Sequence, residues 1–206
     1  MKVTDDTTDA APMLRAMFVA RKEVFIDLLK WDLPALDGRF EVDQFDTAAA
    51  RYLIVGDQST GHRASARLLP TTQPHILQSL FPELCHRDVP ASSDCLEITR
   101  FCLDRHQLAG DRREARDHLI AGLVRFALAE GITSYTGVAE IGWFQQVLSF
   151  GWHCRALGLP RAYGRSVLTA LQIDIDVETP RRLREAGITG TASSDEVLDY
   201  ALKVAA

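Results

Sequence analysis

Cys95-Leu-Glu-Ile-Thr-Arg-Phe-Cys-Leu103 alternates along its length, with Leu96, Ile98 and Arg100 on one nominal face and Glu97, Thr99 and Phe101 on the other. A period of two is the mark of a strand. Glu97 and Arg100 then fall on opposite faces, so for both to serve one site the strand must bulge or twist, as strands beside active sites often do. Downstream, residues 112–130 carry Leu119, Ile120, Leu123, Phe126, Ala127 and Leu128 at helical spacing, and Gly131 closes that helix. Residues 134–138 read as a strand and 141–150 as a helix closed by Gly151. Residues 167–177 alternate again, with Leu171, Ile173, Ile175 and Val177 set against Gln172, Asp174 and Asp176. Thr179-Pro180 opens a short helix, residues 187–194 read as a flexible linker, and 195–204 as a terminal helix.

Upstream, Tyr52-Leu-Ile-Val55 and residues 64–69 read as antiparallel strands joined through Gly56-Asp57 and Gly61, with Pro70 ending the second. Residues 76–81 make a short helical turn and 86–94 a polar loop. Residues 10–30 form a first helix through Leu14, Met17, Phe18, Phe25, Leu28 and Leu29, ended by Trp31 with Pro34 beyond. Early hairpin strands followed by alternating helices and strands predict an α/β fold, a mixed sheet with helices on both faces. The 206 residues suit one domain, with 1–9 and 187–206 peripheral.

Composition narrows the function. Hydrophobic content of 47% and charged content of 25% are those of a globular protein with a real core. A net charge of −5 gives no footing for nucleic acid. The polar, acidic start has no apolar stretch of a signal peptide, and no run approaches the roughly 18–20 apolar residues of a membrane span. Cys85, Cys95, Cys102 and Cys154 form no C-x-x-C pair and read as reduced thiols of a cytoplasmic protein. Cys85-His86 lacks the second ligand pair of a metal site, so no metal is expected.

Between the first helix and the first strand lies an irregular, Asp-rich segment, residues 32–48, long enough to suggest a functional loop. Its Glu41-Val-Asp-Gln-Phe-Asp46 places three carboxylates within six residues, with Arg67-Leu-Leu-Pro-Thr-Thr72 and Glu97-Ile-Thr-Arg100 downstream. Acids that hold positive groups and arginines that hold a carboxylate would suit a small zwitterionic cation. On spacing alone, Asp43 and Asp46 read equally as turn formers or caps, Glu41 as exposed or in a structural salt bridge, Arg21 as a solvated helix residue or a partner of Asp43 or Asp46, Arg67 and Arg100 as sheet charges that, if buried, must pair with this acid cluster, and Phe25 and Trp31 as core.

The order of these pieces resembles the acyl-homoserine-lactone (autoinducer) synthases, the LuxI-type family. Its members share an Arg and a Phe in the first helix, a Trp, then E-x-D-x-x-D, R-L-L-P-T-T and E-x-x-R-F. Here those are Arg21, Phe25, Trp31, Glu41, Asp43, Asp46, the run opened by Arg67, and Glu97, Arg100 and Phe101. Gln73-Pro-His-Ile-Leu77, Phe81-Pro82 and Gly151-Trp152 agree as well, so the likeness runs from about residue 15 to about residue 176. The resemblance implies a GNAT-like α/β/α sandwich with a mostly antiparallel mixed sheet. It implies acyl transfer from a fatty acyl thioester, on acyl carrier protein or coenzyme A, to the amine of S-adenosylmethionine, which is a substrate and not a cofactor. Lactonisation then yields N-acyl-homoserine lactone, a quorum-sensing signal, and methylthioadenosine.

The α-ammonium, with a pKa of about 8, must lose a proton before it attacks. Glu97 is the candidate base, and Arg100 with backbone amides near 100–104 the candidate oxyanion partners. Arg21, Phe25, Trp31, Glu41, Asp43, Asp46, Arg67 and Phe101 are the candidates for binding S-adenosylmethionine and shaping its site, with the aromatic residues able to face the sulfonium. The acyl pocket is expected at Val138, Ala139, Trp143 and Leu148. Family members with a hydroxyl residue after the valine favour 3-oxo chains, so Ala139 predicts unsubstituted ones, while a shifted alignment gives the hydroxyl to Thr136. An acidic carrier calls for a basic surface, and Arg155, Arg161 and Arg165, or Arg112, Arg113 and Arg116, are the candidate clusters. Two other readings stay open: a coenzyme-A-dependent N-acetyltransferase, against which residues 105–115 lack the Q/R-x-x-G-x-G/A loop, and a silent ligand-binding relative.

Overall fold

The computed structural model describes residues 7–57, 61–190 and 197–201. Helix α1 (Thr7–Arg21) runs directly into a π-helical turn, Lys22–Leu28. A small hairpin of β1 (Ala35–Leu36) and β2 (Phe40–Glu41) follows. Then come β3 (Arg51–Asp57), β4 (Gly61–Pro70), α2 (Ile76–Leu80), a 3-10 turn at Pro82–Leu84, β5 (Cys95–Leu103) and α3 (Ala109–Glu130). The second half holds β6 (Ser134–Glu140), α4 (Ile141–Leu148), β7 (His153–Ala156), β8 (Arg161–Tyr163), β9 (Ser166–Asp174), α5 (Thr179–Glu185) and β10 (Val197–Ala201).

The main sheet has the order β10-β3-β4-β5-β6-β9-β7, with β8 also on β9. Every pairing is antiparallel except β5 with β6. That parallel pair needs a crossover, which α3 supplies. Its register covers only Cys95↔Ser134, Leu96↔Tyr135 and Glu97↔Thr136, after which the strands part. The fold is thus the expected α/β sandwich on a mixed, mostly antiparallel sheet.

Alternation sorts the strand side chains to two faces. One packs Leu53, Ala66, Leu68, Tyr135, Leu171 and Ile173 against Leu119, Leu123 and Phe126 of α3 and Phe144 of α4. The other packs Tyr52, Ile54 and Leu69 against Met13, Met17 and Phe18 of α1, and Ala170 against Leu77 and Leu84. No described helix is long and apolar enough to cross a membrane.

Four elements depart from the sequence reading. The expected helix over 195–204 is strand β10 where it is described, paired Val197↔Val55 through Ala201↔Arg51. Its apolar residues also fit a helix, but the otherwise unpaired edge of β3 decides the matter. Gly122 on α3 makes room for it, since a Cβ there would stand 2.8 Å from Val197 Cγ1. Strands β7 and β8, only four and three residues long, carried no periodic signal. Helix α3 begins at Ala109, ahead of the expected residue 112, because Gly110 hides the helical pattern. Part of the expected linker, residues 191–194, lies outside the described residues.

Candidate active site

Three arginines and three carboxylates close into a ring of alternating charge. Arg21, the last residue of α1, meets Glu41 at 2.5 Å and grips Asp46 with two bonds of 2.9 Å. Arg67 on β4 continues from Asp46 at 2.8 Å to Asp43, with bonds of 2.6 and 2.9 Å. Arg100 on β5 joins Asp43 at 2.7 Å to Glu41 at 3.0 Å, completing the circuit. Arg21 and Arg67 are 1% exposed and Glu41 0%, so these charges are desolvated and stand only because each is paired. Burial works to raise the Asp46 carboxyl, but the hydrogen bonds and charge of Arg21, with Arg67, hold it well below its usual range. Asp43 is likewise lowered, against its burial, by Arg67 and Arg100.

Local structure makes the ring possible. The Asp46 carboxylate accepts the Asp43 N–H at 2.8 Å, and Asp43 accepts the Phe45 N–H at 2.8 Å, so the loop folds on its own acids. The register of β4 on β5 slips by one residue between Ser65↔Cys102 and Arg67↔Thr99. Within that bulge Arg100 has φ +50°, a left-handed conformation rare for a residue with a side chain. The bulge turns Arg100 to the face of Glu97 and sends Phe101 to the other, where its ring lies 5.1 Å from that of Trp143.

The acids therefore pair with the arginines and do not stand free for a ligand. Two residues outside the sequence expectation belong to the network: the Tyr52 hydroxyl donates to Asp46 at 2.8 Å, and Thr99 Oγ1 accepts from Arg67 Nε at 2.9 Å. Thr99 sits inside the Glu97–Arg100 motif; Tyr52 gave no signal beyond its strand. Phe25 and Trp31 stack at 4.9 Å, and the Arg100 guanidinium lies 5.6 Å from the Phe25 ring centre. Phe25 is buried while Trp31 is 36% exposed, so the stack runs from the ring to the surface.

Glu97 lies apart from the ring, at the last paired position before β5 and β6 diverge. It is 0% exposed, and its oxygens accept the Ile76 and Leu77 N–H groups at 2.8 Å each. Helix α2 has no side-chain cap of its own at His75, so Glu97 does the capping from across the sheet. Burial pushes the Glu97 carboxyl up to about 7, against the pull of those N–H groups and of Arg67 and Arg100. A carboxyl so poised exchanges protons near neutrality.

The acyl-pocket candidates divide. Val138 packs with Leu77, Leu84 and Ala170 on the Glu97 face. Ala139 is buried on the α3–α4 face, where Trp143 also packs beside Phe101 and Phe150. The β5–β6 pairing ends at Glu97↔Thr136, just before both Val138 and Ala139 on β6. Leu148 does not join them: it is 45% exposed on α4, whose Phe144 and Val147 face the core. Thr136 was the alternative hydroxyl, and it is fully buried on the Glu97 face.

A family model described as autoinducer synthase matches residues 6–183, across the ring, Glu97 and the diverging strands. The chain belongs to the autoinducer synthase family. An acyl-homoserine-lactone synthase of Ralstonia nicotianae is 33% identical over 179 residues, 84% of this chain and 85% of the relative. One from Rhizobium etli is 33% identical over 173 residues, covering 82% and 80%. These family members are enzymes. Among solved structures, the CoA-dependent acyl-homoserine lactone synthase BjaI, with SAM and isopentyl-CoA, superposes with a TM-score of 0.78 at 27% identity, covering 87% of this chain and 83% of that one. TofI, in a ternary complex with an inhibitor and MTA, gives 0.71 at 29% identity, covering 83% and 89%. A putative N-acetyltransferase from Lactobacillus plantarum, 16% identical with a TM-score of 0.53, covers 82% and 95% and shares the fold alone.

Proposed function

We propose that this autoinducer synthase transfers a fatty acyl group from a thioester to the α-amine of S-adenosylmethionine and closes the product to N-acyl-homoserine lactone, in the cytoplasm and without a cofactor. The observation that carries the reading is Glu97: a buried carboxyl poised near neutrality, where two parallel strands part beside an ordered charge network. Glu97 takes the ammonium proton directly or through one water. Arg100, held by Glu41 and Asp43, and nearby backbone N–H groups face the oxyanion. The ring fixes the loop and the Phe25–Trp31 stack, whose faces suit the sulfonium. Ring closure then needs only a folded substrate, because methylthioadenosine leaves readily from a sulfonium. The acyl chain passes through the gap between β5 and β6, meeting Val138 on one face and Ala139 with Trp143 on the other.

Carrier protein is the proposed donor, docking on the arginines of the β7–β8 edge. Coenzyme A is the second reading, favoured by the likeness to BjaI, named as CoA-dependent. Mass spectrometry of extracts from cells expressing the chain, beside a Glu97→Ala control, tests the core of the reading. A lactone series made only by the intact chain supports it; no lactone from purified, folded protein given S-adenosylmethionine and a panel of acyl thioesters on both carriers defeats it. Ala139 still predicts preference for unsubstituted chains. Equal or better turnover of the 3-oxo thioester of equal length would overturn that preference and point to the buried Thr136 hydroxyl.

A further inference from the structure

Two buried polar atoms with no oxygen or nitrogen hydrogen-bond partner belong to residues adjoining Glu97 or its N–H donors. One is Thr136 Oγ1, on the register partner of Glu97 and beside the weakly donating Cys95 thiol. The other is Nε2 of His75. His75 is 0% exposed and immediately precedes Ile76 and Leu77, whose N–H groups hold the Glu97 carboxylate. Its Nδ1 lies 2.9 Å from the Gln73 carbonyl oxygen. A carbonyl only accepts, so Nδ1 carries the hydrogen and Nε2 keeps a bare lone pair. A buried acceptor without a donor is unfavourable for folding alone, and such groups call for an explanation.

The proposed reaction supplies one. Converting an ammonium to an amide removes two protons from nitrogen. The first leaves before attack, exposing the electron pair that forms the C–N bond. The second leaves the N–H2+ of the tetrahedral adduct as the C–S bond breaks and its electron pair departs with sulfur. The thiolate needs one proton, and the other is released. Glu97 has a part in the first transfer only. We propose that His75 is the second proton acceptor: Nε2 takes the proton of the tetrahedral adduct and passes it to the departing thiolate. The idea rests on the acyl-transfer reading above, and the fixed tautomer makes Nε2 ready for the task.

The test compares His75→Asn and His75→Gln with the intact enzyme, following release of the thiol and formation of lactone. Asparagine keeps a donor where Nδ1 stands and so preserves the bond to Gln73. Glutamine places an amide near the Nε2 position, able to accept a hydrogen bond but not a proton. Both variants are expected to lose kcat by roughly 10²-fold, with the KM for S-adenosylmethionine within about threefold of the intact enzyme on the same general acid–base argument. Full kcat in the asparagine variant would make the imidazole a loop brace and overturn the proposal. Full kcat in the glutamine variant would reduce the role to hydrogen bonding and overturn it too, as would a loss matched by a fall in thermal midpoint. If the intact enzyme makes no lactone, the acyl-transfer reading fails first, so the two failures are distinct.

Discussion

Arg67 shows what a single residue contributes to the ring. It is buried and holds Asp43, Asp46 and Thr99 at once. Replacing it with Met leaves two buried carboxylates short of their partner, a loss of about 3–5 kcal/mol by the usual cost of breaking a buried pair. Urea unfolding should show that loss, whereas Arg181→Met, which removes exposed pairs to Glu178 and Glu185, should barely move the curve. Glu97 gives the second residue-scale prediction. Unfolded, a glutamate titrates near pH 4.3; folded, burial raises it to about 7. The native state therefore holds a proton that the unfolded chain has lost between those values, so this contribution is full below pH 4.3 and vanishes as pH rises through 7. The swing is on the order of 3 kcal/mol. Asp43 and Asp46 act in the opposite direction and lower down, since their depressed values give stability above about pH 4 that is lost in acid. Buried His62, lowered to about 4 by desolvation, contributes the opposite slope over much of this window, so stability measured from pH 4.5 to 7 should rise more steeply with pH in Glu97→Gln than in the intact chain. An unchanged slope would mean that another group holds the proton.

The elements show why some of this was legible and some not. Strand β5 was readable to its ends, since nine residues of near-alternation leave little choice. Its bulge was legible only as a need: Glu97 and Arg100 could not otherwise share a face. The left-handed Arg100 has no local signal, because its conformation is imposed by the slip against β4 and by Glu41 and Asp43 beyond it. The six charged residues of the ring could each be named from motif order. That buried arginines would pair with this acid cluster was legible, Arg21 with Asp43 or Asp46 among them; the particular partners of each were not, since they depend on α1, β4 and β5 meeting one loop. Strand β10 was misread because its helical pattern is satisfied equally by the edge of β3. Gly151 illustrates a signal read correctly for a larger reason. It ends the α4 region, as its sequence position implies, but it also lies at φ +91° with Arg182 O only 2.5 Å from where a Cβ would stand. Alanine there meets backbone, not a side chain that can swing away. The combined strain and overpacking should cost on the order of 2–4 kcal/mol, visible as a lower thermal midpoint. Gly164→Ala offers the comparison: its φ is also positive at +58°, but nothing stands within 4 Å, so the smaller penalty expected there isolates the clash.

At the scale of the whole molecule, the proposed acidic carrier would have to dock on a protein that is itself acidic. The net charge of −5 opposes the encounter, so approach must depend on where positive charge is concentrated. Of the two candidate clusters, the one on α3 is partly spent: Arg116 binds Asp117 at 2.6 Å. The other is gathered by topology. Strands β7 and β8 both pair with the outer edge of β9, so the sheet brings exposed Arg155 and Arg161 to one margin, with Arg165 in the turn between β8 and β9. Strand β9 separates that margin from β6, on whose far side the pairing with β5 ends at Glu97. A carrier seated on that margin would stand one strand pair from the chemistry, a span suited to the arm that bears the thioester. Reversing Arg155 and Arg161 to Glu should therefore lower kcat/KM for an acyl carrier thioester by about tenfold, mainly through slower association. Added salt should shrink the difference between variant and intact enzyme, because exposed charges are screened. The thermal midpoint should stay put, since both side chains are exposed, and turnover of a short acyl-pantetheine, which has no protein to dock, should be untouched. A pantetheine rate that falls in parallel would place the fault in the site and not on the surface, and an unchanged carrier rate would remove this margin as the docking edge.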